Sequence, residues 1–202
     1  MTVTSEQFSK QLGAEIAVAL GSDYKFYKSR LEIRRDAPDG QDVIILAPSA
    51  KYSPHINFAF YFGRNFAVAK RLEKSVGDHQ FYYHIQQFSL NRQPLYAPSY
   101  DGPDNWDIDI TNPPSNLCSE VVGAIQAMAY PFFKRFASIK AARDAIASDD
   151  PWCIGGPMYW RQLLLLDLAS DDLSHFTNWY MQLDDWTRDQ ADQEIAKYAA
   201  VR

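Results

Sequence analysis

The alternation of apolar and polar residues between positions 55 and 62 is the clearest pattern in the chain. Ile56, Phe58, Phe60 and Phe62 occupy every second position of this segment. Because successive side chains of a β-strand point to opposite faces, the pattern predicts a sheet with one apolar, aromatic face. Such a face has to be covered, and the helical pattern of the second half of the chain can supply the cover.

Four further segments before residue 111 have strand character. They are residues 24–35, 43–46, about 80–88 and 106–110. The alternation in the first of them changes phase, which predicts a bulge or a break near Ser29. Pro38-Asp39-Gly40 predicts a hairpin turn, in which proline fixes φ and Gly40 takes the positive-φ position. The continuous apolar run 43–46 predicts a central strand that is buried on both faces.

Apolar residues recur at helical spacing at the N-terminus. Phe8, Leu12, Ile16 and Leu20 predict a helix over residues 5–20, which Thr4 or Ser5 can cap and Gly21 can end.

The period becomes helical again after Asn112-Pro113-Pro114. The stripe that begins at Leu117 predicts a helix that Pro131 should kink or end, and Ser138 can cap the next one. The helices predicted elsewhere are about 65–76, 139–148, 157–169 and one or two over 171–200. In the last region, the residues expected to point inward are Leu173, Phe176, Tyr180 and Leu183.

The sequence thus predicts an α+β protein. It has an antiparallel or mixed sheet of about five strands, an N-terminal helix and a C-terminal helical layer on one face. With 202 residues, we expect a single domain over 1–202, with a sheet-rich half at 1–111 and a helical half at 112–202.

Charge is distributed unevenly along the chain. The net charge of −5 argues against a general nucleic-acid binder, although basic clusters such as Arg34-Arg35 could contact single-stranded nucleic acid. Residues 1–143 contain 16 basic and 14 acidic side chains, whereas residues 144–202 contain 4 and 11. The acidic C-terminal helices could therefore dock a basic protein partner, the alternative being that they are an ordinary solvated helix face.

The two cysteines, Cys118 and Cys153, make no disulfide framework, and we expect a reduced, cytoplasmic setting. The N-terminus lacks the features of a signal peptide, and the run 163–166 is too short to span a membrane, so no membrane partner is expected.

Three segments together resemble a known family. These are Tyr24-Lys25-Phe26-Tyr27-Lys28-Ser29-Arg30, then Trp106-Asp107-Ile108, then the helix end from Tyr130-Pro131-Phe132-Phe133 to Ser138. The order resembles a family of small bacterial proteins known only as a domain of unknown function. The resemblance covers roughly residues 5–150 and implies a fold, but no activity and no site residues.

Metal and nucleophile patterns are weak in this sequence. Asp107 and Asp109 share a strand face and could hold a divalent metal, but no further oxygen ligands are identifiable nearby, and a solvated face explains them as well. Cys118, near a helix start, could have a lowered pKa, although a packed thiol is favoured. Cys153 precedes Gly155-Gly156, where an ordinary turn is favoured over an anion site. We predict no metal, no cofactor and no catalytic residue.

Two hypotheses for function remain. The first is a non-catalytic cytoplasmic binding protein, of which an immunity protein that blocks a basic toxin would be one form. The second is a small-ligand protein or an enzyme, with a pocket near Tyr82, His84, Trp106, Asp107 and Asp109.

The proline-rich loop 91–104 is open to two interpretations. With Tyr96, Tyr100 and the following Trp106, it is either a binding loop or a cover for the sheet edge.

Overall fold

The computed structural model describes residues 4–50, 54–77, 84–88, 101–103, 105–148 and 159–200, with backbone only for residues 50, 84–88 and 159. It confirms an α+β fold with an N-terminal helix and C-terminal helices. The strands are β1 Tyr24–Tyr27, β2 Glu32–Ala37, β3 Gly40–Ala50, β4 His55–Phe66, β5 His84–Phe88 and β6 Trp106–Asp109. The helices are α1 Ser5–Leu20, α2 Ala67–Ser75, α3 Leu117–Arg135, α4 Ile139–Ala147, α5 Tyr159–Ala169, α6 Ser174–Tyr180 and α7 Asp185–Ala199.

The described strands form one six-stranded sheet in the order β1-β2-β3-β4-β5, with β6 paired to β4. The predicted break near Ser29 is a complete turn. It separates β1 from β2, which pair antiparallel with Tyr24 opposite Arg35. Leu31 adopts a φ of 52° in this connection. The segment expected to be one interrupted strand is therefore a hairpin, which accounts for the sixth strand.

The turn Pro38-Asp39-Gly40 joins β2 to β3 as predicted, but the role assigned to Gly40 is wrong. The positive φ of 63° belongs to Asp39, a residue type that tolerates this region. The carbonyl of Asp39 accepts a hydrogen bond of 2.7 Å from the amide of Ala67. Gly40 is needed for a close approach instead, because a Cβ there would overlap the carbonyl oxygen of Asn65.

Helix α1 has the boundaries that its sequence predicts. Thr4 is its N-cap and forms a capping box with Gln7, and Gly21 follows its last residue with a φ of 122°. Leu12 and Ile16 are buried. Its Gly13 sits against the ring of Phe26, so the missing side chain allows α1 to lie close to the sheet.

The first compact unit comprises the described parts of residues 1–37, 41–64 and 86–134. Its core contains the predicted aromatic face of β4, since Ile56, Phe58, Phe60 and Phe62 are each 2% exposed or less. Phe62 meets Phe132 of α3 edge-on, with ring centroids 5.3 Å apart, so a helix from the second half covers this face. Helix α3 continues to Arg135, and Pro131 therefore does not end it.

The second compact unit comprises the described parts of residues 38–40, 65–85 and 135–202. Its centre is α5, whose run from Leu163 to Leu166 is 1% exposed or less and which packs against α2, α4 and α6. Ser138 caps α4 as predicted, its hydroxyl accepting from the amide of Ala141. The second unit is thus a helical bundle around one apolar helix.

No helix in the described parts of the chain combines the length and the apolarity that crossing a membrane requires. The expectation of a single domain over 1–202 stays a prediction.

Candidate functional site

The structure describes only some of the residues predicted to form a binding site. Tyr82, Tyr96 and Tyr100 lie outside the described residues, and His84 is described by its backbone alone, at the start of β5. The predicted pocket around Tyr82 and His84, and the two interpretations of loop 91–104, therefore stay predictions.

Trp106 belongs to the core of the first unit. Its side chain is almost fully buried against the rings of Phe58 and Phe60, with centroids 6.3 Å away in each case. Its indole Nε1 donates to Oε2 of Glu120 at 3.3 Å. The aromatic surface and the polar atom of Trp106 are both engaged within the fold, so this residue holds β6 against its neighbours.

Asp107 and Asp109 lie on the open face of the β4–β6 pair. Oδ1 of Asp107 is 3.7 Å from Nδ1 of His55, and both side chains are about half exposed. Asp109 accepts from the hydroxyl and the amide of Thr111, at 2.6 and 2.9 Å, and these bonds lower the pKa of its carboxyl. Within the described residues, no group of three or more His, Cys, Asp or Glu side chains could hold a metal ion. Asp109 therefore accepts hydrogen bonds in the turn after β6, and Asp107 makes an exposed contact with His55.

The thiol of Cys118 has a raised pKa rather than a lowered one. It lines a cleft of about 120 Å³ between α1 and the start of α3. Burial disfavours its thiolate, and the nearby Glu15 disfavours it further. The packed-thiol interpretation therefore agrees with the structure, and the activated-thiol alternative is wrong.

Arg34 and Arg35 do not form a free cationic patch. Arg34 Nε donates to Glu32 at 2.8 Å. Arg35 Nε donates to the buried carboxylate of Asp42 at 3.0 Å, and Arg64 reaches the other oxygen of that carboxylate at 2.6 Å. A surface for single-stranded nucleic acid would need these guanidinium groups to be available, and they are used inside the fold instead.

Aromatic rings enclose the Arg35 guanidinium. Its central carbon lies 5.1 Å from the ring centroid of Tyr24, 5.8 Å from that of Tyr130 and 5.9 Å from that of Phe133. Burial is the main cause that raises the pKa of Tyr24, and the neighbouring Tyr130 hydroxyl raises it further. The cluster is a structural cation–π box that ties β1 and β2 to α3.

A second buried ion pair connects the helices of the second unit. Arg143 Nε of α4 donates to Oδ1 of Asp167 on α5 at 2.5 Å, and both side chains are at most 7% exposed. The other oxygen of Asp167 accepts the amide of Phe176 at 2.8 Å. Arg143 Nη2 also donates to the carboxylate of Asp172 at 2.7 Å.

His175 completes this network. Its Nδ1 lies 3.2 Å from Arg143 Nη2, a group that can only donate. Its Nε2 lies 3.0 Å from Oδ1 of Asp144. Both ring nitrogens have partners, so His175 is not placed as a catalytic base.

The end of α6 and the first turn of α7 carry the most exposed large apolar side chains in the described part of the second unit. Met181 is 70% exposed and Trp186 is 71% exposed. We call the residues Met181, Asp184, Asp185, Trp186 and Asp189 the α6–α7 surface; its three aspartates are all exposed.

Local hydrogen bonds hold the α6–α7 surface in shape. Asp184 is the N-cap of α7, accepting the amide and the hydroxyl of Thr187 at 2.8 and 3.0 Å, and these bonds lower its pKa. Arg188 donates to the carbonyls of Tyr180 and Met181, at 3.4 and 3.0 Å. The turn is thus fixed by its backbone and cap, while the Trp186 ring stays in solvent.

Reasoning from the sequence found the acidity of this region but missed Trp186 and Met181. It placed Leu173 inward, which is wrong, since Leu173 is 39% exposed, whereas Phe176 is buried as expected. The available signal was Asp184-Asp185-Trp186: a tryptophan two residues after a capping aspartate, with a second carboxylate between them, lies in the first turn of a helix.

Comparison of the chain with protein-family models, with curated proteins and with solved structures finds no match.

Proposed function

We propose that this chain is a non-catalytic interaction protein that binds a basic protein partner through the α6–α7 surface. The observation that carries the proposal is the exposure of Trp186 on the first turn of an acidic helix. Tryptophan is enriched among the residues that contribute most to protein–protein binding. An aromatic side chain left 71% exposed beside three carboxylates contributes little to the fold, but it suits a pocket on a partner.

The charges on this surface favour a basic partner. Asp184, Asp185 and Asp189 lie within one turn of Trp186, and a residue three positions along a helix shares its face. Arg188 is 3.6 Å from Asp185, but that carboxylate is fully exposed, so the pair neutralises little of the local field. Negative charge around an apolar anchor selects a positive surface and speeds its approach.

The biological setting follows as part of the same proposal. We place the protein in a reduced cytoplasm, in agreement with its cysteine content, and in the bacterial family of unknown function that its three segments resemble. An immunity protein that blocks a basic toxin would have these properties: an acidic surface, an exposed aromatic anchor and no catalytic group.

The test uses the full chain and its natural partner. The immobilised protein captures binding proteins from the soluble extract of its source cells, and a captured partner is then purified so that its Kd can be measured. We expect a basic protein whose Kd rises roughly thirtyfold or more with Trp186→Ala, because hot-spot truncation costs about 2 kcal/mol or more. Val68→Ala, a truncation at another partly exposed apolar position, should leave the Kd unchanged.

A charge-matched pair of variants tests the electrostatic part. Replacing Asp184, Asp185 and Asp189 with asparagine removes three charges but keeps a capping side chain at position 184. The triple variant should bind more weakly, and its Kd should depend less on the salt concentration. The control makes the same change in net charge elsewhere, through Glu6→Gln, Glu15→Gln and Asp23→Asn. Equal affinities for both triple variants, or binding indifferent to Trp186→Ala, would count against the proposal.

A further inference from the structure

A groove of about 490 Å³ runs between α1 and β1 in the first unit. One wall is the α1 stripe of Ala14, Ala17 and Val18, and the other is the β1 face of Tyr24 and Phe26, continued by Lys28. The volume lies within the range of small-molecule sites, roughly 300–1,000 Å³.

Two different periods in the sequence build this groove. On α1, positions 14, 17 and 18 have the three- and four-residue spacing of one helix face, along which exposure rises from 4% at the buried Ala17 to 82% at Val18. On β1, Tyr24 and Phe26 are two residues apart, so they point to the same side of the strand, and Lys28 follows in the turn after β1. The helix, the strand and this turn therefore line an apolar groove that includes one cationic side chain.

Part of the lining of this groove is exposed to solvent. Val18 is 82% exposed, although it continues an apolar stripe. Lys28 is exposed and makes no ion pair with another residue in the described parts of the chain. Apolar side chains and one cation that line the same groove complement an apolar molecule with an anionic head.

We propose that the α1–β1 groove binds a medium-chain carboxylate. Its alkyl chain lies along Ala14, Val18 and Phe26, and its carboxylate meets the ammonium group of Lys28. This site is separate from the α6–α7 surface and does not depend on the function proposed for it.

Isothermal titration of the full chain with hexanoate, octanoate and decanoate tests the apolar part. Each methylene buried in the groove should lower the Kd by about fourfold, so affinity should rise steeply with chain length. Decylamine, which carries the opposite charge, should bind more weakly than decanoate. Absence of saturable decanoate binding, or equal binding of both head groups, would overturn the proposal.

Substitutions at exposed positions test the geometry without disturbing the core. Val18→Asp should abolish decanoate binding, because it places a second anion in the groove. Lys28→Gln should weaken decanoate roughly two- to fivefold, as expected for an exposed ion pair, and should remove the preference for carboxylate over decan-1-ol. The matched control is Lys25→Gln, since Lys25 points to the other side of β1 and should have no effect.

Two further results are decisive. Circular dichroism should show that all three variants are folded, and Trp186→Ala should bind decanoate like the unaltered chain. Binding to phosphatidylglycerol vesicles without binding of free decanoate would identify the groove as a membrane-contact surface and would contradict the proposal. Loss of binding in Lys25→Gln to the same degree as in Lys28→Gln would equally contradict it.

Discussion

Asp42, Arg64, Arg143 and Asp167 are charged residues that the chain buries almost completely. Burying a charge is costly unless an opposite charge and hydrogen bonds replace water. Asp42 meets Arg35 and Arg64, and Asp167 meets Arg143 and a backbone amide. These pairs hold neighbouring elements in one arrangement, whereas the carboxylates beside Trp186 are exposed to water.

Asp172 should make the stability of the protein sensitive to acid. Its pKa is lowered, chiefly by the hydrogen bond from Arg143 and then by bonds from Ser174. A carboxyl with a lower pKa in the folded state stabilises that state fully above its unfolded-state pKa of about 3.9, and this contribution is lost as the pH falls through the folded-state pKa. We expect the free energy of unfolding, measured with urea, to fall below about pH 4.

The variant Asp172→Asn isolates this contribution. Its free energy of unfolding should be lower than that of the unaltered chain at pH 7 and should fall less steeply in acid. Asp23→Asn, at an exposed aspartate, should follow the unaltered chain. The same acid slope in Asp172→Asn and in the unaltered protein would refute the assignment.

Two glycines within helices of this fold differ in what surrounds them. Gly13 of α1 faces the sheet, and an added Cβ would lie 2.5 Å from the Phe26 ring and 2.8 Å from Leu46 Cδ1. Gly123 of α3 has nothing within 4 Å of the same position. One glycine therefore permits close packing of helix on strand, and the other only lowers the helix propensity.

Gly13→Ala and Gly123→Ala should change stability in opposite directions. Alanine at position 123 should stabilise the protein by up to about 1 kcal/mol, as helix propensity alone predicts. At position 13 the same gain is outweighed by displacement of Phe26, and we expect a net loss of about 1–3 kcal/mol, typical of overpacking. Urea unfolding of both variants measures this, and a stabilised Gly13→Ala would show that α1 does not lie against Phe26.

Over the whole molecule, the chain passes repeatedly between the two compact units. It does so after residues 37, 40, 64, 85 and 134, and β4 and β5 each continue from one unit into the other. Neither unit is a continuous segment, so neither can be removed by one cut. The single domain over 1–202 stays a prediction.

We accordingly expect one cooperative unfolding transition. Far-ultraviolet circular dichroism reports the helices, and tryptophan fluorescence reports Trp106 of the first unit together with the four tryptophans that follow residue 135 in the sequence. The two urea curves should coincide, as two-state unfolding requires. Separate midpoints would show that the units unfold independently and would refute the single domain.

Local patterns were sufficient for much of the fold. The limits of α1 follow from its capping box and terminal glycine, and the buried face of β4 follows from alternation at every second residue. The cap of α4 at Ser138 was likewise readable. The break near Ser29 was found, but the hairpin it produces was not, because pairing of β1 with β2 depends on contacts beyond the turn.

Candidate sites were much less predictable. The Asp107–His55 contact joins residues distant in the chain, and the burial of Trp106 depends on strand pairing with Phe58. The sequence suggested that Arg35 is a surface charge. Its partner Asp42 lies on the other side of the β2–β3 turn, and the two side chains meet only because the strands pair.

What the sequence by itself determined is therefore the class of the fold, the ends of several helices and the acidity of the C-terminal region, because caps, periods and charge are local properties. Only the tertiary structure decided which charges are buried in pairs, that Trp186 stays in solvent, and that α1 and β1 enclose a groove. Each of these depends on which distant segments meet, and a one-dimensional pattern does not specify the partner of a surface.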